Sequence, residues 1–324
     1  MGIYFLWALI CAAVGTIPLL IAKRFIGAII QAAVSFFILW PIFYVTIPTT
    51  VWPLFGGPGF MVLILWVIGA VINAVADEDD HPLFPPFIPM IASVVAYVIA
   101  GILGNEFMRT EDYRGMIGPM EVREWTQDIQ PKDPQHMRMS TPGNAIYMAQ
   151  KVIGQDGTIG SQFQINSGEI WLQKIQSELW YVAALEFKSY GAWKSKGASP
   201  GYVMVSAENP DLQPRIVNLD QNKQMRYLPS GYFDKNLERH LRNNGYLDKG
   251  LAYFSLEIDD SGNPWWIVPT YKPEIMWWAT KITGAALVNP ATGQITFYPL
   301  GNVPDWVDRV VPGDYVTCYL DWWG

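Results

Sequence analysis

The distribution of charge divides this chain of 324 residues into two parts that cannot fold in the same way. The first 104 residues carry only six charges, namely the pair Lys23 and Arg24 and one acidic run at residues 77–80. The other 220 residues hold 20 of the 22 basic and 25 of the 29 acidic residues. So little charge is typical of membrane-spanning segments, whereas the composition of the second part is typical of a domain folded in water.

Four apolar segments in the first part have a length that suits a bilayer core of about 30 Å, which a helix crosses in about 20 residues. They are residues 3–22, 25–47, 59–75 and 87–103. The first segment has neither a basic start nor a small-residue cleavage site, so we expect an anchor and not a cleaved signal peptide. Residues 1–104 are therefore predicted to form a four-helix transmembrane anchor.

The basic pair Lys23 and Arg24 lies between the first two predicted spans. Positively charged loops tend to stay in the cytoplasm, so four spans would place both termini and the charged domain outside it. No Asp, Glu, Lys, Arg or His occurs within the spans. This disfavours an active transporter, because ion and proton pumps usually carry charged relays inside the membrane.

The densest charge cluster of the chain is formed by Asp77, Glu78, Asp79 and Asp80. The simplest interpretation is a solvated loop that separates the third span from the fourth. A second interpretation is a ring of carboxylates that attracts cations to the mouth of an oligomeric pore. A third is a site for a hard cation such as calcium, although the spacing of an EF-hand is absent.

A sequence repeat organises the charged part of the chain. Trp180–Leu185 is echoed by Trp265–Thr270, and Gly201–Val205 is echoed by Gly284–Val288. Because the two pairs of segments are similarly spaced, we predict that one structural unit has been duplicated.

Each copy contains the signals of a helix followed by strands. Ser140-Thr141-Pro142 predicts a helix start with a capping hydroxyl and a proline in the first turn. Ser230 is expected to begin the corresponding helix of the second copy. The segments Asp259–Asn263 and Asn289–Gly293 are strong turn signals between strands. A helix with about four antiparallel strands per copy is an α+β unit, so the predicted fold is a membrane-anchored α+β protein.

These signals also predict the domain limits. A linker is expected over residues 105–139, a first repeat over 140–228 and a second repeat over 229–300. Residues 301–324 form a tryptophan-rich tail that ends just after an apolar, strand-like run. We expect this tail to dock on its own domain, on a neighbouring subunit or at the bilayer surface.

The end of the second copy carries a family resemblance. The segment Val288-Asn289-Pro290-Ala291-Thr292-Gly293-Gln294-Ile295 follows a helix and strands, and in this setting it resembles the end of a PepSY-type repeat. The resemblance covers residues 140–300 as two copies, and the first copy departs from it with Glu208-Asn209-Pro210-Asp211 at the turn. It implies an extracytoplasmic location and a binding, inhibitory or scaffolding role, with no catalytic residues to carry over.

Motifs that would indicate a reaction or a cofactor are missing from the sequence. The three histidines have no zinc-ligand spacing, and there is no nucleophile elbow, phosphate-binding loop or Cys-x-x-Cys pair, so no cofactor is predicted. The net charge of −7 disfavours nucleic-acid binding, which needs a basic surface. Glu257, Asp259 and Asp260 could act as a general acid and base, but acidic residues are also expected at a hairpin turn.

Tryptophan pairs supply the candidate contact residues. Neighbouring residues on a strand face opposite sides, so one member of the pair Trp265–Trp266 is expected in the core and the other outside. An outward tryptophan can anchor a protein partner, insert among lipid headgroups or stack on a sugar, whereas core packing would explain the others. The predicted partner or membrane contacts are Trp265, Trp266, Trp277, Trp278, Trp322 and Trp323.

Three functions are compatible with these patterns. The leading hypothesis is a non-enzymatic integral membrane protein whose extracytoplasmic duplicated domain binds a partner or self-assembles into a homo-oligomer, as a scaffold or regulatory subunit. The first alternative is a passive channel or channel subunit with an acidic ring at residues 77–80. The second alternative is a membrane-bound hydrolase that uses the carboxylates near Glu257.

Overall fold

A computed structural model describes residues 2–51, 58–76, 84–118, 136–166 and 168–324. The protein is α+β, with apolar helices at the N-terminus and a C-terminal region rich in β-sheet. Its residues form two compact units. The first, called the helical unit below, comprises Met1–Tyr113, Arg242–Gly250 and Lys272–Lys281. The second, called the sheet unit, comprises Arg114–Leu241, Leu251–Tyr271 and Ile282–Gly324.

Apolar helices make up most of the helical unit. They are α1 (Gly2–Gly15), α2 (Ile17–Ile21), α3 (Phe25–Thr46), α4 (Pro58–Ala76) and α5 (Phe84–Leu103). Two stretches, Ile3–Ile21 and Phe25–Thr46, are long and apolar enough to cross a membrane. In the described parts of α4 and α5, the apolar runs Pro58–Ile72 and Ile91–Leu103 are shorter.

Helix α1 packs on α3 and α4 around one buried apolar cluster. The first apolar segment is nevertheless broken between α1 and α2. In a continuous helix the carbonyl of Gly15 would accept the N–H of Leu19. Here that N–H donates to the carbonyl of Thr16 instead, and Pro18 has no N–H to offer, so the carbonyl of Gly15 has no backbone donor from the next turn. The side-chain amide of Gln31 donates to this carbonyl at 3.3 Å and to that of Leu65 at 2.9 Å. One buried amide on α3 thereby connects α1 and α4.

The remaining helices are shorter and more polar. They are α6 (Thr110–Arg114), α7 (Pro142–Gln155), α8 (Gly157–Gln162), α9 (Tyr190–Lys196), α10 (Leu237–Asn243) and α11 (Gly313–Trp323). The strands are β1 (Phe163–Gln164), β2 (Trp171–Ile175), β3 (Glu178–Ala184), β4 (Glu186–Phe187), β5 (Gly201–Ser206), β6 (Arg215–Asn218), β7 (Gly250–Leu251), β8 (Ser255–Ile258), β9 (Pro264–Ile275), β10 (Ala279–Val288) and β11 (Ile295–Pro299).

The strands form two larger sheets, and β1 pairs with β4 separately. The first sheet is antiparallel with the order β2-β3-β5-β6. The second has the order β11-β10-β9-β7, and β8 also pairs with β9. Strand β8 packs against β2 and β3, and the side chain of Gln173 accepts a hydrogen bond from the N–H of Ile258 at 2.9 Å. The two sheets therefore share a buried contact inside the sheet unit.

Helix α7 begins where the sequence predicts. The Thr141 hydroxyl caps it by accepting the N–H of Asn144, and Pro142 is its first residue. Its buried face consists of Ala145, Ala149 and Ile153, and it packs on β5 and β6. Strand β5 is buried along its whole length because both of its faces are covered.

The predicted helix start at Ser230 is wrong. The N–H of Ser230 donates to the buried carboxylate of Glu186 at 2.9 Å, and its hydroxyl accepts the N–H of Phe187 at 2.9 Å. Ser230 therefore ties its own loop to β4. Helix α10 begins seven residues later, at Leu237.

The strand-like run before Asp321 is also predicted wrongly, since it forms helix α11. The three- and four-residue spacing of Tyr315, Tyr319 and Trp322 places these aromatic rings on one helical face, where they contact one another in succession. Tyr315 also contacts Tyr271 of β9, with ring centroids 5.7 Å apart.

Residues 303–310 dock on the second sheet of their own domain. Val303, Trp306, Val307 and Val310 pack with Ile267, Ala285 and Leu287 of β9 and β10. The tail of the chain thus closes one face of this sheet, which is one of the three locations that the sequence leaves open for it.

Candidate binding site

The first tryptophan pair is part of the domain core. Trp266 is only 1% exposed, and its indole N–H donates to the carbonyl of Tyr227 at 2.9 Å. Trp265 lies on the opposite face of β9, where it donates to Asp259 at 3.0 Å and packs near Trp306 of the tail. The structure thus places the two rings on opposite faces, but the tail partly covers the outward one.

The second pair contacts helix α5 within the helical unit. Trp277 stacks on Tyr97, with ring centroids 4.2 Å apart and planes within 1° of parallel. Trp278 donates its indole N–H to the carbonyl of Gly101 at 3.1 Å. A Cβ atom at Gly104 would lie 2.9 Å from the Trp278 ring, so a glycine there allows the close approach. Both rings are therefore engaged with the protein's own apolar helix.

The two tryptophans of the terminal pair lie on different faces of α11. Trp322 contacts Tyr319 on the aromatic face. Trp323 is 48% exposed and shares the outer face with Val316 and Leu320, which are also exposed. Of the six predicted contact residues, Trp323 and Trp278 offer the largest accessible rings.

The acidic cluster Asp77, Glu78, Asp79 and Asp80 lies outside the described residues, so the cation site and the pore ring stay predictions. In the part of the chain that the structure does describe, no group of three or more His, Cys, Asp or Glu side chains is placed to hold a metal ion.

The carboxylates near the predicted hairpin have structural partners. Glu257 is 1% exposed and accepts the N–H of Asp308 at 2.8 Å and the hydroxyl of Ser255 at 3.2 Å. Burial raises the pKa of Glu257 to about 7. Asp259 accepts the backbone N–H groups of Ser261 and Asn263, which fixes the turn. These bonds connect the tail and the turn to β8 and β9.

An open cleft of about 450 Å³ lies in the sheet unit, within the size range of small-ligand sites. Five aromatic rings form most of its wall, together with one carboxylate and one amide. Its lining residues are Asn166, Gly168, Glu169, Trp171, Leu251, Ala252, Tyr253, Phe254, Tyr271 and Tyr315.

Contacts among the cleft residues hold the wall in place. Trp171 and Tyr253 have ring centroids 6.0 Å apart, and the guanidinium of Arg309 lies 4.4 Å from the centre of the Trp171 ring. The hydroxyl of Tyr253 donates to Asp314 at the start of α11. The wall therefore joins the segment before β2, the segment between β7 and β8, and the tail.

Among the described residues, two buried polar atoms of the wall have no hydrogen-bond partner, namely Oε2 of Glu169 and Nε1 of Trp171. Burial raises the pKa of Glu169, and the hydrogen bond from the Asn166 side chain opposes this shift. A buried polar group that lacks a partner costs free energy. Both atoms are buried behind the wall, so the open aromatic wall itself, with its volume of about 450 Å³, makes the cleft the best candidate for a binding site.

Sequence reasoning missed this cleft because its residues come from four separate segments: 166–171, 251–254, 271 and 315. No motif connects these positions, and helix α11, which supplies Tyr315, is predicted as a strand. The resemblance of residues 140–300 to PepSY-type repeats stays a prediction. Comparison of the chain with protein-family models, with curated proteins and with solved structures found no match.

Proposed function

We propose that this chain is a non-enzymatic integral membrane protein that carries a binding domain outside the cytoplasm and serves as a scaffold or regulatory subunit of a membrane complex. In this proposal four apolar helices form the anchor, and the partner binds at the aromatic cleft. The cleft is the single observation that carries the proposal, because it is an open cavity whose wall consists mostly of aromatic rings.

The outward side chains of helix α3 support the anchor. Ile26, Ile29, Phe37 and Val45 are large and apolar, and each is at least 69% exposed. A helix on the surface of a soluble protein would place polar residues at such positions. Lipid would cover these side chains, and the buried Gln31 amide would connect the helices from inside, as polar residues do in membrane bundles.

The order of the strands supports the proposed duplication. In the first sheet β2, β3, β5 and β6 pair in succession, and in the second β8, β9, β10 and β11 do the same. The echoed segments at Trp180 and Trp265 lie in the second strand of each series. This agreement favours two copies of one unit, and it suits the proposed resemblance to PepSY-type modules.

The bonding of the buried acids favours a binding protein over a hydrolase. Glu257 holds the tail through Asp308, and Glu186 holds the loop at Ser230. A carboxylate that accepts structural hydrogen bonds inside a sheet is poorly placed to exchange protons with a substrate.

The proposal is tested by the mass of particles extracted gently from native membranes. We expect wild type to run as a multiple of 36.6 kDa or with a bound partner. Tyr253→Ala, which removes a ring from the cleft wall, should release the partner or dissociate the oligomer. Tyr253→Phe keeps the ring but loses the hydrogen bond to Asp314, so a comparison of the two variants separates the effect of the ring from that of the bond.

Tyr147→Ala is the matched control outside the cleft, because Tyr147 is 62% exposed on α7. It should leave the particle unchanged. A wild-type particle that carries one chain and no other bound molecule would overturn the proposal, and so would an equal loss of partner in the Tyr147→Ala variant.

The orientation is tested with a cysteine already present in the chain. Cys318 is exposed on α11, whereas Cys11 is buried in the helical unit. A maleimide that cannot cross membranes should label Cys318 from outside intact cells, and a Cys11→Ser variant should be labelled equally. Labelling that occurs only after the cells are opened would place the sheet unit in the cytoplasm.

A further inference from the structure

Four aromatic side chains form a cluster on the surface of the sheet unit, separate from the cleft. The cluster, called the aromatic patch below, consists of Tyr190 and Trp193 of α9 and Tyr232 and Phe233 of the loop before α10. The two rings of α9 each contact both rings of the loop, with ring centroids between 5.1 and 6.2 Å apart. Tyr190, Tyr232 and Phe233 are nevertheless 44%, 37% and 42% exposed. The rings thus leave much of their apolar surface in solvent.

The backbone of Phe233 is strained, although its ring is not buried. Its φ angle is +54°, in the left-handed region that disfavours residues with a side chain. Such strain persists where the surrounding structure holds it, and it is most frequent at functional sites. The buried guanidinium of Arg239 donates to the carbonyl of Phe233 at 2.9 Å and holds this conformation, while 42% of Phe233 remains exposed. The observation favours a role for the ring at the surface.

The aromatic patch includes part of a basic stretch of the sequence, in an otherwise acidic domain. Lys188, Lys194 and Lys196 lie within nine residues of one another, and no Asp or Glu occurs between Phe187 and Ala207. The nearest acidic residue in the loop is Asp234, which pairs with Lys235 at 3.2 Å. Lys194 and Lys196 lie in the last turn of helix α9, one and three residues after Trp193.

We propose that the aromatic patch and its lysines bind an anionic bilayer surface. Tryptophan and tyrosine are favoured at the boundary between lipid headgroups and acyl chains, because their rings are apolar and carry one polar group. Lysines beside them are attracted to anionic headgroups. The patch would thereby fix the sheet unit against lipid independently of the aromatic cleft, so this proposal does not depend on the identity of a partner.

The experiment uses the full chain in proteoliposomes, with a bimane label at position 233. The label is introduced by Phe233→Cys in a chain that also carries Cys11→Ser and Cys318→Ser. Vesicles contain brominated lipids, which quench bimane on contact, and they are either zwitterionic or rich in phosphatidylglycerol. We expect strong quenching in the anionic vesicles and weak quenching in the zwitterionic ones. A label at Ser261, in the exposed turn after β8, should be quenched in neither.

Charge reversal supplies the matched comparison. Lys194→Glu combined with Lys196→Glu should weaken quenching at position 233 on the order of tenfold, because lysines are attracted to an anionic surface and glutamates are repelled by it. Lys151→Glu combined with Lys223→Glu changes the net charge equally and should have little effect.

Absence of quenching at position 233 in anionic vesicles would overturn the proposal and would leave the patch as a surface for a protein partner. Equal quenching in both kinds of vesicle, unaffected by reversal of Lys194 and Lys196, would overturn it as well. Both results are independent of the particle mass that tests the cleft.

Discussion

The helical unit and the sheet unit bury polar groups in different ways. Helices α1, α3 and α4 of the helical unit use an uncharged amide, Gln31, and come together at glycine, since a Cβ at Gly15 would lie 2.4 Å from Cβ of Leu65. The sheet unit buries large aromatic rings such as Trp266 and two carboxylates, Glu186 and Glu257. Because burial raises the pKa of both carboxyl groups to about 7, the stability of the sheet unit should depend on pH, whereas the Gln31 amide does not titrate near neutral pH.

The largest expected effect comes from removal of the Trp266 ring, the largest fully buried side chain of the sheet unit. Trp266→Ala deletes a buried ring and its bond to Tyr227, so the free energy of unfolding should fall by about 3–5 kcal/mol. Hydrogen exchange of the amides of β9 and β10 in the full chain would measure the loss. Exchange in the helical unit, at α1 and α3, should not change if the two units are stabilised independently.

Trp323→Ala is the control for this change, because Trp323 is 48% exposed at the end of α11. It should alter the protection of β9 and β10 by less than about 0.5 kcal/mol. A similar loss of protection in both variants would contradict the expectation that the buried tryptophan stabilises the sheet unit more than the exposed one does.

The next effect is the pH dependence of the sheet unit. The carboxyl of Glu257 has a pKa near 4.5 when unfolded and about 7 when folded, so the folded state binds more protons between these values. The contribution of Glu257 to stability should therefore be fully present below about pH 4.5, fall as the pH rises to about 7, and be lost above that. Glu257→Gln removes this contribution, which amounts to about 3 kcal/mol.

Chemical unfolding between pH 5 and pH 8 would measure the slope in wild type and in the variant. Glu186→Gln should flatten the remaining slope, because Glu186 is buried in the same way. Asp220→Asn serves as the exposed control and should leave the slope as it is in wild type. Equal slopes in wild type and in the Glu257→Gln variant would contradict the raised pKa of Glu257.

The smallest of the three effects concerns the glycines of the helical unit. Gly15→Ala places a Cβ atom 2.4 Å from Cβ of Leu65, so α1 and α4 must separate, at a cost of about 1–3 kcal/mol. Gly27→Ala is the matched control, because its Cβ would lie 3.8 Å from the nearest atom, in ordinary contact with Leu19. Unfolding in mixed micelles with increasing SDS would compare the two, and equal midpoints would contradict the close packing at Gly15.

The structural features that depend on a few neighbouring residues were predicted well from the sequence. Thr141 and Pro142 begin helix α7, and the turn at Asp259–Asn263 lies between β8 and β9. These features depend on a few neighbouring residues whose chemistry fixes the backbone. The apolar character of helices α1 and α3 was likewise predictable, because it requires only composition and length.

Features that depend on contacts between distant residues were missed or predicted wrongly. Ser230 looks like a helix cap, but its hydrogen bonds go to Glu186 and Phe187, more than 40 residues away. Strand β9 continues through Pro273 to Ile275, although proline weakens the sequence signal of a strand. The cleft escaped prediction for the same reason, since only the folded chain brings Glu169 and Tyr315 to one wall.

The bond from Gln31 to Gly15 has a consequence for the biogenesis of the proposed membrane anchor. The carbonyl of Gly15 is synthesised 16 residues before the amide that completes its hydrogen bonding. A first segment that entered lipid alone would carry this carbonyl without a donor, at a cost of several kcal/mol. The first two apolar segments should therefore leave the translocation machinery together, as a hairpin of helices. Chains interrupted before Gln31 would be retained at the membrane–water boundary and become substrates for degradation.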